Sequence, residues 1–149
     1  MLDILHRISI DAPRERVHDL IATTDGIARW WTGRPLDGDS IVGSRFAVFF
    51  GDADKPAAVM EVQADTPDVV AWRVVEGPDS WIDTVITFAL HRSSDGGTTL
   101  LFTHAGWREA SEFMSGCSTT WGADLTSLKT GAEGLEFRPY PQSEISRWS

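Results

Sequence analysis

Two alternating apolar runs separated by a tight polar turn constrain this chain more than any other feature: Ile82-Asp83-Thr84-Val85-Ile86-Thr87-Phe88-Ala89-Leu90 and Thr98-Thr99-Leu100-Leu101-Phe102-Thr103-His104. Between them lies Ser93-Ser94-Asp95-Gly96-Gly97, and an Asp-Gly step flanked by alternating apolar residues is the strongest short-range signal for a β-hairpin. The two runs therefore pair antiparallel. Because side chains alternate along a strand, Ile82, Thr84, Ile86, Phe88 and Leu90 share one face, and Leu100, Phe102 and His104 form the matching set on the partner. A sheet face this apolar needs a cover. The pattern predicts a helix from Glu109 to Lys129, where Phe113, Met114, Cys117, Trp121, Leu125 and Leu128 recur at steps of three or four. Gly131 is the expected stop, with Lys129 in the last turn where its charge suits the dipole.

Upstream, Met1 to Ile10 alternates, with Ile4, His6, Ile8 and Ile10 on one side, as a strand with one buried face would. Pro13 is expected at the first position of a helix through Val17, Leu20 and Ile21. A second short helix follows, capped by Thr24 or Asp25, with Ile27, Trp30 and Trp31 on its apolar side. Thr32 to Gly43, rich in Gly and Pro, reads as loop. Strands are then predicted at Arg45–Phe50, Ala58–Ala64 and Val69–Val75, the last with Val70, Trp72 and Val74 on one face. Short turns between successive strands imply antiparallel neighbours, since a parallel pairing needs a long crossover. The fold class is α+β, with helices on one side of an antiparallel sheet.

Several function classes are excluded by composition. A net charge of −9 opposes binding to phosphate backbones, so no nucleic-acid partner is expected. No run of about 18 apolar residues occurs and the N-terminus lacks a long apolar signal core, so the chain reads as cytoplasmic, without membrane insertion. The single cysteine, Cys117, excludes an internal disulfide and a multi-cysteine metal site. A metal drawn from His6, His104 and Glu61 has no compact spacing to support it, so neither metal nor cofactor is expected. No G-x-S-x-G elbow and no Gly-rich phosphate loop is present, and no catalytic nucleophile is assigned.

The ordered set of Ile10-Asp11-Ala12-Pro13, Trp30-Trp31, Gly97-Thr98-Thr99-Leu100 leading to His104-Ala105-Gly106-Trp107, and Trp121 followed by Leu125-Thr126-Ser127-Leu128-Lys129 and Gly131 resembles the START-like, or Bet v 1-like, helix-grip superfamily (SRPBCC). Within it the chain is most similar to proteins like the activator of the heat-shock protein 90 ATPase. The resemblance covers residues 1–133 and leaves 134–149 as a C-terminal tail. It implies a curved antiparallel sheet of six or seven strands wrapped around a long C-terminal helix, with two short helices after the first strand. It also implies an apolar cavity between sheet and helix, used in relatives for lipids, sterols, polyketides or other hydrophobic small molecules; some relatives are cyclases or dehydratases. The tail, with Pro139, Tyr140, Pro141 and Trp148, either packs across the domain, covers the cavity mouth or meets a second subunit as a homodimer. The first is the default.

The function expected is binding of a hydrophobic or amphipathic small molecule, lipid-like or polyketide-like. Trp31, Trp72, Ile86, Phe88, Phe102, Met114, Cys117 and Trp121 are the expected walls, and His104 the group that orients the ligand's polar end. Each has a plainer alternative: the aromatics as core packing, Cys117 as a small core residue, His104 as a buried imidazole satisfied by a neighbour. The enzymatic alternative is a cofactor-free cyclase or dehydratase using His104 and Glu61 as acid and base; Glu61 would have a raised pKa if inward and be simply surface if outward. A third reading is an interaction module with a chaperone partner.

Overall fold

A computed structural model describes residues 1–146; Trp148 lies outside the described residues. Seven strands form one sheet in the spatial order β1-β7-β6-β5-β4-β3-β2, every pair antiparallel. They are β1 (Leu2–Ile10), β2 (Asp37–Gly38), β3 (Arg45–Val48), β4 (Ala58–Thr66), β5 (Val69–Glu76), β6 (Val85–Arg92) and β7 (Thr98–Trp107). The hairpin is β6–β7, in register with Ile86 opposite His104, Phe88 opposite Phe102 and Leu90 opposite Leu100. All six are buried, because each pair puts both side chains on the face that the helices cover. β6 starts at Val85 rather than Ile82: Asp83 turns through φ 67°, which ladder geometry does not accommodate.

The helices are α1 (Arg14–Ala22), α2 (Thr24–Ile27, continued by a wider π-type turn through Thr32) and α3 (Glu112–Ala132). Pro13 is the residue before α1, in extended conformation at ψ 149°, not its first turn. Thr23, rather than Thr24 or Asp25, caps α2 by accepting the Gly26 amide at 3.0 Å. The Gly- and Pro-rich stretch expected as loop contains the two residues of β2, paired with Phe46 and Ala47. Ser111 caps α3 through its hydroxyl, which accepts the Met114 amide at 3.1 Å. This is the α+β helix-grip arrangement, with seven strands because β2 adds a short edge.

Gly131 is not the stop of α3. The helix runs one residue further, and the left-handed residue beyond it is Gly134 at φ 85°. The reason for glycine at 131 is packing: a Cβ there would sit 2.0 Å from the Phe137 ring. The chain after α3 folds back along the helix. There the Arg138 amide donates to Ser127 Oγ at 2.8 Å and Thr130 Oγ1 donates to the Glu136 carbonyl at 2.8 Å. Gly131→Ala is therefore expected to add a little helix propensity, about 1 kcal/mol, yet release the Phe137 ring. Limited proteolysis should show faster cleavage after residue 134 with α3 unchanged; an unaltered digestion pattern would refute this account of Gly131.

Candidate functional site

α3 does not lie evenly on the sheet. In its C-terminal half Trp121, Leu125, Leu128 and Ala132 are buried, whereas Phe113, Met114, Gly116 and Cys117 are only half-buried. Ala57 and Ala58, at the start of β4, border the same space as Gly116 and Cys117 of that first half, and all four side chains are small. The result is a cavity of about 370 Å³. One wall is Val48, Phe50, Ala57 and Ala58 from β3, β4 and the turn between them; a second is Pro78 and Trp81 from the β5–β6 connection. α3 supplies Phe113, Gly116, Cys117, Thr120, Trp121 and Asp124, Trp31 comes from the end of the α2 segment, and the tail closes the mouth with Tyr140, Ser143, Glu144 and Ser146.

Backbone contacts hold the tail in that position. The Tyr140 amide donates to the Trp31 carbonyl at 3.0 Å, and the Tyr140 ring meets Phe50 edge-on with centroids 5.3 Å apart. Gly33, at φ 71°, leaves room for the Tyr140 carbonyl, which would lie 2.9 Å from a Cβ.

Of the walls expected from sequence, Trp31, Cys117 and Trp121 line this cavity. Trp72, Ile86, Phe88 and Phe102 do not; they are closed in the core at 0–1% exposure. Deep between sheet and helix the aromatics fill the space themselves: Trp72 meets Phe88 and Phe46 with centroids 5.0 and 5.1 Å apart, and Phe102 meets Trp121 at 4.7 Å. Met114 packs against the core beside the cavity. The void is thus displaced from the hairpin's centre toward the β3–β4 side, where side chains are small.

His104 points inward and is fully buried, but it does not face the cavity. Trp121 Nε1–H donates to its Nδ1 at 3.1 Å, and its Nε2 meets Thr84 Oγ1 at 2.8 Å. The indole can only donate and the Thr84 hydroxyl already donates to the Trp81 carbonyl at 2.5 Å, so the network assigns a neutral imidazole with its proton on Nε2. Burial among the Trp81, Trp107 and Trp121 rings pushes its pKa down to about 3. Both ring nitrogens are thus engaged, and His104 is not among the residues that line the cavity.

Glu61 is the outward alternative. The burial pattern of β4 turns Met60 and Val62 inward and leaves Glu61 on the opposite face, where Gln63 Nε2 donates to it at 3.0 Å and Arg45 Nε at 3.2 Å. These partners hold its carboxyl below the usual range rather than above it. His6, on β1, approaches Ser118 of α3 at 3.3 Å, away from His104.

The residue that sequence reasoning missed is Asp124. It lies on α3 at 3% exposure and lines the cavity beside Trp31, Trp121 and Ser143. Burial drives its pKa up to about 8, although Ser143 and Trp31 hydrogen-bond its carboxyl and oppose the rise. At neutral pH this side chain is mostly an uncharged acid. A signal was present: 117, 121, 124 and 128 continue one helical face, and an acid on an apolar stripe requires an explanation. Burial also pushes the Cys117 thiol up. The neighbouring Trp81 indole N–H has no well-formed hydrogen bond and leans on that sulfur as a weak acceptor.

The sequence profile of the family described as Activator of Hsp90 ATPase homolog 1-like protein matches residues 11–133. No curated protein matches the chain. Among solved structures, the solution structure of the Aha1 dimer from Colwellia psychrerythraea is similar at 34% identity and a TM-score of 0.79, over 89% of this chain and 97% of that one. The solution structure of CalU16 from Micromonospora echinospora is similar at 22% identity and a TM-score of 0.74, over 99% of this chain and 74% of that one; at that identity the likeness is one of fold.

Proposed function

We infer, from the premise that this chain belongs to the family of Activator of Hsp90 ATPase homolog 1-like proteins, that it binds a hydrophobic or amphipathic small molecule between α3, the β3–β4 edge and the tail. The observation that carries this reading is the cavity of about 370 Å³ with aromatic walls, a size and lining typical of small-molecule sites. Among the described residues six aromatics face it, and aromatic side chains supply large contact area at low conformational cost. The bound molecule would be gripped at its sides by Trp31, Trp81 and Trp121 and covered by Tyr140.

The enzymatic alternative draws no support from the pair first considered, because His104 is sealed and Glu61 faces the other side of the sheet. The chaperone-associated alternative draws only on the family's name and on the Aha1 neighbour. A homodimer rests on that same neighbour, whose structure is a dimer, and light scattering of this protein checks it.

Native mass spectrometry of protein purified from its own host should reveal a small molecule retained in the folded chain. A plug provides the second test: Thr120→Trp adds a ring to the α3 wall. It should reduce binding of a fluorescent hydrophobic dye by about tenfold or more, equivalent to about 1.4 kcal/mol, with thermal unfolding unchanged. Undiminished dye binding in the plugged variant would place the dye elsewhere and overturn the reading.

A further inference from the structure

The chemistry of the cavity walls narrows the class of ligand; this step rests on the cavity being the binding site. Among the described residues that line it there is no lysine, arginine or histidine, whereas Asp124 and Glu144 are both acids. The remaining walls are aromatic or small. A carboxylate or phosphate ligand would enter this space with no cationic partner among the described residues and with two acids beside it, and an uncompensated buried anion is strongly disfavoured. A positive group meets the opposite situation: aromatic faces attract cations through their quadrupole, and Asp124 offers a counter-charge.

Asp124 itself points the same way. Its carboxyl is buried and has only Trp31 and Ser143 as partners, hydrogen bonds that the side-chain oxygen of an asparagine could accept as well. Below about pH 8 an ionised carboxylate there becomes favourable only when a positive charge arrives.

We propose that the cavity takes a hydrophobic organic cation, a quaternary ammonium or protonated amine on an apolar body, with its charged head against Asp124 and the Trp31 and Trp121 rings. Binding then requires Asp124 to ionise and release one proton. Among the described residues the other titratable groups facing the cavity are Cys117 on α3 and Tyr140 and Glu144 on the tail; β3, β4, the β5–β6 connection and the α2 segment contribute none. Because burial holds Asp124 at about 8, the affinity for a permanently charged ammonium should rise about tenfold per pH unit toward that value and level off above it, the slope of one released proton.

Calorimetric titration with three probes on a shared phenylpropyl body provides the test: (phenylpropyl)trimethylammonium, its neutral isostere with tert-butyl in place of trimethylammonium, and phenylbutyrate. At pH 8 the ammonium should bind at least tenfold more tightly than either of the others. Asp124→Asn, which preserves shape and the neutral state, should abolish both that preference and the pH slope. Glu144→Gln should leave the slope in place, because the released proton comes from Asp124. Equal affinity for the neutral probe, tighter binding of phenylbutyrate, or an unchanged preference in Asp124→Asn would each overturn the assignment. If all three probes fail to displace the hydrophobic dye, the cation class is wrong and the cavity reading stands; if the dye also fails to bind, both fall.

Discussion

Asp124→Asn is expected to make the protein more stable above neutral pH by several kcal/mol while leaving its stability near pH 3 unchanged. In the folded chain the Asp124 carboxyl titrates at about 8, against about 3.9 for an exposed aspartate. Between those values the folded state holds a proton that the unfolded state has lost, so stability falls as pH rises, by about 1.4 kcal/mol for each unit. His104 has the opposite sign. Its folded value of about 3 lies below the unfolded value of about 6.5, so there the unfolded state holds the extra proton and stability falls as pH drops from about 6.5 to 3.

The two slopes cancel between about pH 4 and 6.5, which gives the natural chain a plateau and then a decline up to about pH 8. The asparagine variant has only the histidine slope: stability should climb from about pH 3 to 6.5 and stay level thereafter. Half-buried carboxylates such as Glu61 and Glu133, whose partners hold them below the usual range, add an acid-side loss common to both proteins. The difference between the two curves therefore isolates Asp124. Urea unfolding midpoints from pH 3 to 9 measure it, and parallel curves would mean that Asp124 is ionised and solvated in the folded chain.

Trp121→Ala should be the most damaging single change, at about 3–5 kcal/mol, the usual loss for a large buried aromatic cut to alanine. Trp121 is 2% exposed and stands where core and cavity meet. Its ring contacts Phe102 at 4.7 Å, Trp31 at 5.2 Å and Trp81 at 6.1 Å between centroids, while its indole N–H donates to His104. Removing it joins the cavity to the space around His104 and deprives Nδ1 of its donor. Water can then reach the imidazole, so its titration should move from about 3 toward the ordinary value near 6.5. Proton-detected titration of the histidine resonances separates this effect from a general loss of stability. A His104 that still resists protonation in a folded Trp121→Ala protein would show that its depressed value does not depend on the Trp121 seal.

The sequence made the fold legible wherever one element's pattern was self-sufficient. Asp95-Gly96 set the hairpin, and alternation from there placed Ile86, Phe88, Phe102 and His104 inward. Steps of three and four located α3 to within three residues at either end. Where a boundary depended on a neighbour, the reading slipped: Gly131 looks like a helix stop until Phe137 is seen lying against it, and Glu61 had no assignable side until the pairing of β4 was known. The cavity was expected behind the hairpin, where Trp72, Ile86, Phe88 and Phe102 fill the space, whereas Trp31, Cys117 and Trp121 border the space that remains.

Local periodicity and turn chemistry determined the order of elements and the faces that are buried, because each depends on residues a few positions apart. Only the tertiary structure decided where space remains, since a void is what several distant segments fail to fill, here Ala57 and Ala58 against Gly116 and Cys117 under the returning tail. It decided the chemistry of that space too. Two inward polar groups diverge there, because Trp121 and Thr84 satisfy and seal the His104 imidazole while Asp124 is left at the edge of the cavity as a buried acid.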